Sequence, residues 1–418
     1  MSISDHQNIQ HQLFRIKYTE LNEIFLVMAL RSFVCGMISI FIPIYLYNIG
    51  YPLRDILFLN LTMFSVEFIF EYFSARLRTE LGPKHAIAIS FPFLIAHMWL
   101  LATIQTYNWP LWLPALCGGI SLALYWQGYH FDFSKSKHKG QATRDVSKMY
   151  ILLAVLGAIA PFAGSSIVTY LGFNSLYFIV IFALGFAFIP LVRQKESNIK
   201  GTLKLKRLKP KDIILDMISY GGSGVEATIS LVIWPLFIYL IFQSYQSLGI
   251  ITSAALIVTI IVTYFVGRRV TNKNRHLYIR NSSFLDSLIY IMLIFVESFI
   301  QVASLNMARS LVSSLRSAPY VSEYYLHADE RSRSEYIFYM ESAIDFFKIL
   351  MYAFLIILTF SLNDKEVLIA GLVVGAVGAL TASLMPRAKC EMPVTEKAII
   401  SKKIKIIPKL RPQNELNR

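Results

Sequence analysis

The chain has 418 residues, of which 55% are hydrophobic and only 16% charged, with a mean hydropathy of +0.52. That surplus of apolar side chains excludes a soluble globular protein and implies a multi-pass membrane protein. The net charge of +14 does not signal nucleic acid, because the basic residues are concentrated in the tails and in loops of one parity.

Apolar runs of about 20 residues, enough to cross about 30 Å of hydrocarbon, recur twelve times. The polar first 21 residues lead into span 1 (22–48) without a small-residue cleavage site, so no removable signal peptide is expected. Arg31, Cys35 and Ser39 share one face of that span, and Pro43 sits late in it. Span 2 (54–75) carries Glu67 as an isolated carboxylate, open to proton carriage or to burial as a hydrogen-bonded acid. Span 3 (84–105) contains His97 and span 4 (109–131) His130, both among aromatics and without a second ligand at metal spacing. Both are assigned packing roles, and no metal or other cofactor is expected. Tyr125 and Trp126 in span 4 are candidates to stack on a solute, or are plain packing residues.

Spans 5 (147–171) and 6 (173–193) are apolar, and a basic stretch, 194–213, follows them. There Leu203, Leu205 and Leu208 interleave with Lys204, Lys206, Arg207 and Lys209, a pattern suited to anionic headgroups or to simple solvation. Span 7 (214–242) aligns Ser219, Ser223, Glu226 and Ser230, and span 8 (246–268) is apolar. Span 9 (281–301) carries Glu297. Asp286, like Glu71 and Asp132, falls toward the cytoplasmic end of its span, where it balances basic loops. In span 10 (304–326) Asn306, Arg309, Ser313, Arg316, Tyr320, Glu323 and His327 alternate at three and four residues, the signature of one continuous polar helix face. Span 11 (336–361) places Glu341, Asp345, Lys348 and Tyr352 in one sector, at about 100° per residue. Those charges form either a coupling site or a salt-bridge cluster that fixes the span to its neighbours. Span 12 (366–385) precedes a basic tail, 387–418, that contains KKIKIIPKLR. Cys35, Cys117 and Cys390 are too scattered for a disulfide framework.

Of the 40 Lys and Arg, only Arg54 and Lys365 lie in odd-numbered loops and Arg31, Arg309, Arg316 and Lys348 within spans; the rest lie in even-numbered loops and the tails. The asymmetry places both termini and the central linker in the cytoplasm. An internal repeat follows from one fixed offset. Pro43 and Pro235, Tyr47 and Tyr239, Tyr72-Phe73 and Tyr264-Phe265, and Arg76 and Arg268 are each 192 residues apart. The division is therefore an amino-terminal tail (1–21), a six-helix bundle (22–193), the linker (194–213), a second bundle (214–386) and the carboxy-terminal tail. The fold class is all-α, twelve transmembrane helices in two pseudo-symmetric bundles.

This organisation resembles the major facilitator superfamily. The family's Gly-x-x-x-Asp-Arg-x-Gly-Arg-Lys signature joins spans 2 and 3, where this chain has Ala75-Arg-Leu-Arg-Thr79-Glu80-Leu-Gly82-Pro83-Lys84. The second-half counterpart is Gly267-Arg-Arg-Val-Thr271-Asn272-Lys-Asn274-Arg275, with threonine again in place of the aspartate. Gly157-Ala-Ile-Ala-Pro161-Phe-Ala-Gly164-Ser165 is similar to the family's exporter motif in span 5. By this resemblance spans 1, 4, 7 and 10 line a central cavity, and three of them carry the polar stripes found above.

The function expected is secondary active transport of a small solute by alternating access, driven by protons, in a monomer of the cell membrane. Arg31 and Arg316 would hold an anionic or zwitterionic group, with Glu226 on its cationic part or on the coupling proton. Arg309 and Asn306 are further candidates. An enzyme is not indicated, since neither HExxH nor GxSxG occurs. The alternative is a non-transporting sensor or scaffold on a transporter fold.

Overall fold

The computed structural model describes residues 25–137, 142–192, 203, 205, 208–271 and 273–388. The tails, Cys390 and most of the basic linker lie outside the described residues. Among the described residues every expected span is helical over most of its length, and no strand occurs. Helix is the required solution here, since it satisfies each backbone N–H and C=O within the segment when no water is at hand.

We number the helices α1 Phe25–Asn48, α2 Leu53–Leu81, α3 Pro83–Ala102 and α4 Trp112–Ser136. A continuous stretch, Ala142–Val192, is broken by Gly172 (φ 80°) into α5 (142–171) and α6 (173–192). The second set is α7 Ile214–Phe242, α8 Tyr245–Arg269, α9 Arg275–Met292, α10 Phe299–Glu330, α11 Arg333–Leu358 and α12 Asp364–Leu384. Seven segments are long and apolar enough to cross a membrane on composition alone, with α5 and α6 counted together. The others, α4, α9, α10 and α11, are the helices with polar or charged faces. Their outer sides are apolar all the same: Phe284 on α9, Leu311 on α10 and Phe346 on α11 are exposed, as are Phe178 and Phe182 on α6. Exposed rings of that size belong against lipid.

Helix ends follow local chemistry. Ser298 caps α10 and Asn363 caps α12, each in a reciprocal capping box with Gln301 or Glu366. Gly82 (φ 101°) makes the turn between α2 and α3, with Pro83 as the first residue of α3. A side chain would strain that turn, which explains the glycine kept in the signature. Both repeat prolines distort their helices as expected of a residue that lacks an N–H and clashes with the preceding turn. A 3₁₀ turn, Ser39–Phe41, precedes Pro43, and a π-helical turn, Ile229–Ile233, precedes Pro235.

Packing repeats with a shift of six helices. Contacts of α2 and α3 with α4 recur as those of α8 and α9 with α10. The two most extensive contacts between the bundles are α2 against α11 and its counterpart, α8 against α5. Small residues permit the second. A Cβ on Gly249 of α8 would fall 2.6 Å from the Ser165 Cβ, and one on Gly164 would fall 1.9 Å from the Met37 carbonyl oxygen of α1. The exporter-like motif thus lies where α5 meets both neighbours. Tyr72-Phe73 and Tyr264-Phe265, matched by the repeat, are exposed to similar degrees.

Span 9 departs from expectation at both ends. Hydropathy places span 9 at 281–301, but α9 begins at Arg275 and gives way to a 3₁₀ turn that ends at Phe295. Glu297 therefore sits in the exposed link before α10, outside both helices, its N–H bonded to Gln301 Oε1. The helix starts early because Arg275, polar enough to read as loop, is buried against Glu323 at 3.3 Å.

Candidate functional site

Two clusters of buried charge emerge. The first lies within the second bundle, on α7, α9 and α10. Arg316 Nη2 donates to Glu226 Oε2 and stands 3.1 Å from Asp286 Oδ2, while its Nη1 donates to the Ala379 carbonyl of α12 at 3.2 Å. Arg309 lies 3.5 Å from Glu226 Oε1 and 3.7 Å from Asp286 Oδ1, donates to Ser230 Oγ, and covers the Tyr290 ring at 4.4 Å. Two guanidinium groups meet two carboxylates, so the network is neutral. Asn306 continues it outward, accepting from Trp234 Nε1 at 3.0 Å and donating to the Ile251 carbonyl at 3.4 Å. Tyr320 and His327 of the stripe also turn inward: Tyr320 meets Ser219 at 2.9 Å, and His327 meets Asp216 at 2.9 Å. This polar face binds α10 to its own bundle, where the sequence reading expected the wall of an aqueous cavity.

The second cluster spans the bundles. Glu67 and Glu71 of α2 face Asp345 of α11, one oxygen from each lying within 4.8 Å of the others. Lys348 approaches Asp345 Oδ1 at 3.3 Å and Glu67 Oε2 at 3.9 Å, resting over the Phe64 ring at 4.3 Å. Gln127 of α4 donates its amide to Glu71 Oε2. Glu341, one turn before Asp345, is 3.5 Å from His130 Nε2 and accepts from the Tyr324 hydroxyl at 3.3 Å. Glu67, Glu71, Glu341, Asp345 and Gln127 are all buried.

Arg31 joins neither Glu226 nor Arg316. Its guanidinium stacks on the Tyr125 ring, 3.6 Å from the centroid, and Nε has no hydrogen-bond partner. Trp126, half-buried, stacks on His130 with ring centroids 5.4 Å apart. His97 packs as expected, donating to the Pro114 carbonyl at 2.7 Å, but His130 faces a carboxylate that sequence reasoning did not give it. Glu71 and Asp286 are the other corrections. Neither balances a loop, because α2 runs on to Leu81 and α9 starts at Arg275, which leaves both carboxylates well inside their helices. The missed signal is periodic: Glu67, Glu71, Ser74 and Arg78 repeat at four, three and four residues, and all are buried.

Polar contacts also tie the bundles at both ends. Where α1 ends, Asn48 donates to the Tyr239 hydroxyl at 2.9 Å and to that of Tyr245, and Tyr47 donates to Asp364 at 3.1 Å. At the opposite end Lys137 pairs with Asp329, Arg78 donates to Ser334 Oγ at 2.7 Å, and His130 shares a hydrogen bond with Tyr325 at 2.9 Å.

No known sequence family and no curated protein matches the chain. Its structure does have counterparts. The human organic anion transporter MFSD10 (TETRAN) superimposes with a TM-score of 0.62 at 10% identity, covering 88% of this chain and 99% of that one. The major facilitator superfamily transporter FucP, in its outward conformation, gives 0.63 at 11% identity, covering 89% and 99%. The chain is a multi-pass membrane protein with the all-helical fold of those transporters.

Proposed function

We propose that the protein is a secondary transporter that crosses the cell membrane twelve times, with cytoplasmic termini, and moves a small organic anion by alternating access. Residues 22–193 and 214–386 are the two moving bodies. The observation that carries this reading is the pair of polar latches at the two ends of the bundle contact. Alternating access requires contacts that open one end while the other holds, and single hydrogen bonds and ion pairs worth about 0.5–3 kcal/mol each are suited to that exchange. Arg31 is the residue we assign to the anion. It is buried near the bundle contact, and its Nε is left without a hydrogen-bond partner. The organic anion transporter among the structural counterparts supports the substrate class. Arg316, Arg309 and Glu226 hold the second bundle together instead. A proton carried by a carboxylate of the α2–α11 cluster supplies the coupling.

The test is flux. Purified protein in proteoliposomes is expected to move fluorescein, an organic dianion, faster under an imposed proton gradient than without one, and Arg31→Gln is expected to slow it at least tenfold. A panel of organic anions that all fail to cross, with protein correctly folded, would instead favour the sensor reading.

A further inference from the structure

The interbundle cluster has a charge count that its protein groups leave unbalanced. Glu67, Glu71, Glu341 and Asp345 bring four carboxylates. Lys348 answers them directly, Arg31 bears on Glu67 from α1, and Arg78 bears on Glu71 and Glu341 from the last turn of α2. With all four carboxyls ionised and His130 neutral, one negative charge is left over, to be cancelled by a proton on one carboxyl or by a bound cation, in a region buried from lipid and solvent. An uncompensated charge there costs several kcal/mol, so the site calls for one further positive charge.

The geometry says which kind. Glu67 Oε2, Glu71 Oε1 and Asp345 Oδ2 have no hydrogen-bond partner, and neither has the amide oxygen of Gln127, whose nitrogen is bonded to Glu71. Gln127 is fully buried, and a buried amide oxygen without a donor is a vacant ligand. Three carboxylate oxygens all within 4.8 Å of one another have a common point no more than about 2.8 Å from each, within reach of the metal–oxygen distance of an ion of calcium's radius. Sodium has nearly that radius and half the charge. A divalent ion would overshoot the count and leave a buried positive charge, and a site made only of oxygen does not select soft metals.

We infer that Glu67, Glu71 and Asp345, with Gln127 Oε1, bind one small alkali cation, sodium or lithium, between α2, α4 and α11, in competition with a proton. The site goes beyond the transport reading and does not depend on it. If transport operates, the bound ion ties α2 of one bundle to α11 of the other and so senses their relative position.

Binding of ²²Na⁺ to the full-length protein in detergent, without solute, tests the inference. One sodium per chain is expected to bind saturably and to be displaced by lithium and by acid but not by choline. Asp345→Asn and Glu71→Gln should each weaken it at least tenfold. Gln127→Leu, which removes a neutral ligand, should weaken it less. Absence of saturable sodium binding between pH 6 and pH 9, or wild-type affinity in both carboxylate variants, overturns the site, as does a protein whose thermal stability responds to pH but not to sodium. If neither carboxylate variant folds, wild-type stoichiometry and the Gln127 variant decide. Sodium binding without flux removes the transport reading alone, and flux without sodium binding removes this one alone.

Discussion

The two charge clusters are built from the same residue types yet differ in balance and in place. Glu226, Asp286, Arg309 and Arg316 cancel one another and draw on helices of one bundle. Glu67, Glu71, Glu341 and Asp345 exceed their nearby cations and sit where α2 meets α11, across the two bundles. A neutral, fully paired network has nothing to offer a ligand, and its worth is in fixing which helices are neighbours. A charge surplus at a contact between the two bundles invites a mobile ion. Inside a membrane protein the presence of buried charge is therefore less informative than its sum and its partners.

The comparison breaks most sharply on stability. Glu226→Ala leaves two buried guanidinium groups facing Asp286 alone, and a loss of about 3–5 kcal/mol is expected, read as a large fall in the thermal unfolding midpoint in detergent. Restoring neutrality with Glu226→Gln and Arg316→Gln together should recover part of that loss, because the two sites are coupled. Asp345→Asn should behave in the opposite sense. In sodium-free choline buffer it removes surplus negative charge while keeping the side-chain shape, so the midpoint should hold or rise. Equal destabilisation by Glu226→Ala and Asp345→Asn would show that balance does not separate the clusters.

A smaller effect concerns Arg31. Replacing Tyr125 with leucine removes the ring beneath the guanidinium, an interaction of about 0.5–2 kcal/mol. Solute affinity, measured as the half-saturating concentration for flux, should weaken by a factor of about 3 to 30, with the unfolding midpoint nearly unchanged. A variant that transports as wild type would detach Arg31 from the solute.

The sequence carried most of the architecture, since hydropathy and loop charge respond to the bilayer and every expected span is helical over most of its length. The offset of 192 residues located the distorted turns before Pro43 and Pro235. Periodicity correctly grouped Arg309 and Arg316 on one face of α10, but it could not say what that face meets. Glu226 and Arg316 are 90 positions apart and pair only through the packing of α7 on α10. Asp286 escaped because hydropathy discounts a helix whose first turns carry Arg275 and Arg280, although Ser283, Asp286 and Tyr290 form a short stripe of their own. Glu71 escaped for the same reason at the far end of α2. Gln127 follows Tyr125 and Trp126 in a largely aromatic stretch, and nothing local distinguishes a glutamine that solvates a buried carboxylate from one that merely packs.

The smallest expected effects lie in the latches, and they test whether the two ends work against each other. Asn48→Ala loosens the end where α1 meets α7 and α8, whereas Lys137→Ala loosens the end where α4 meets α10. Each removes about 1 kcal/mol, a shift of roughly fivefold in the populations of two states of similar energy. The check is thiol labelling with an impermeant reagent at single cysteines introduced beside each latch. Asn48→Ala should raise labelling at its own end and lower it at the other, and Lys137→Ala should do the reverse. A rise at both ends would mean that each variant merely frays the fold. Reciprocal changes require that the bundles rock as rigid bodies about the α2–α11 and α5–α8 contacts, because only then does opening one mouth press the other shut.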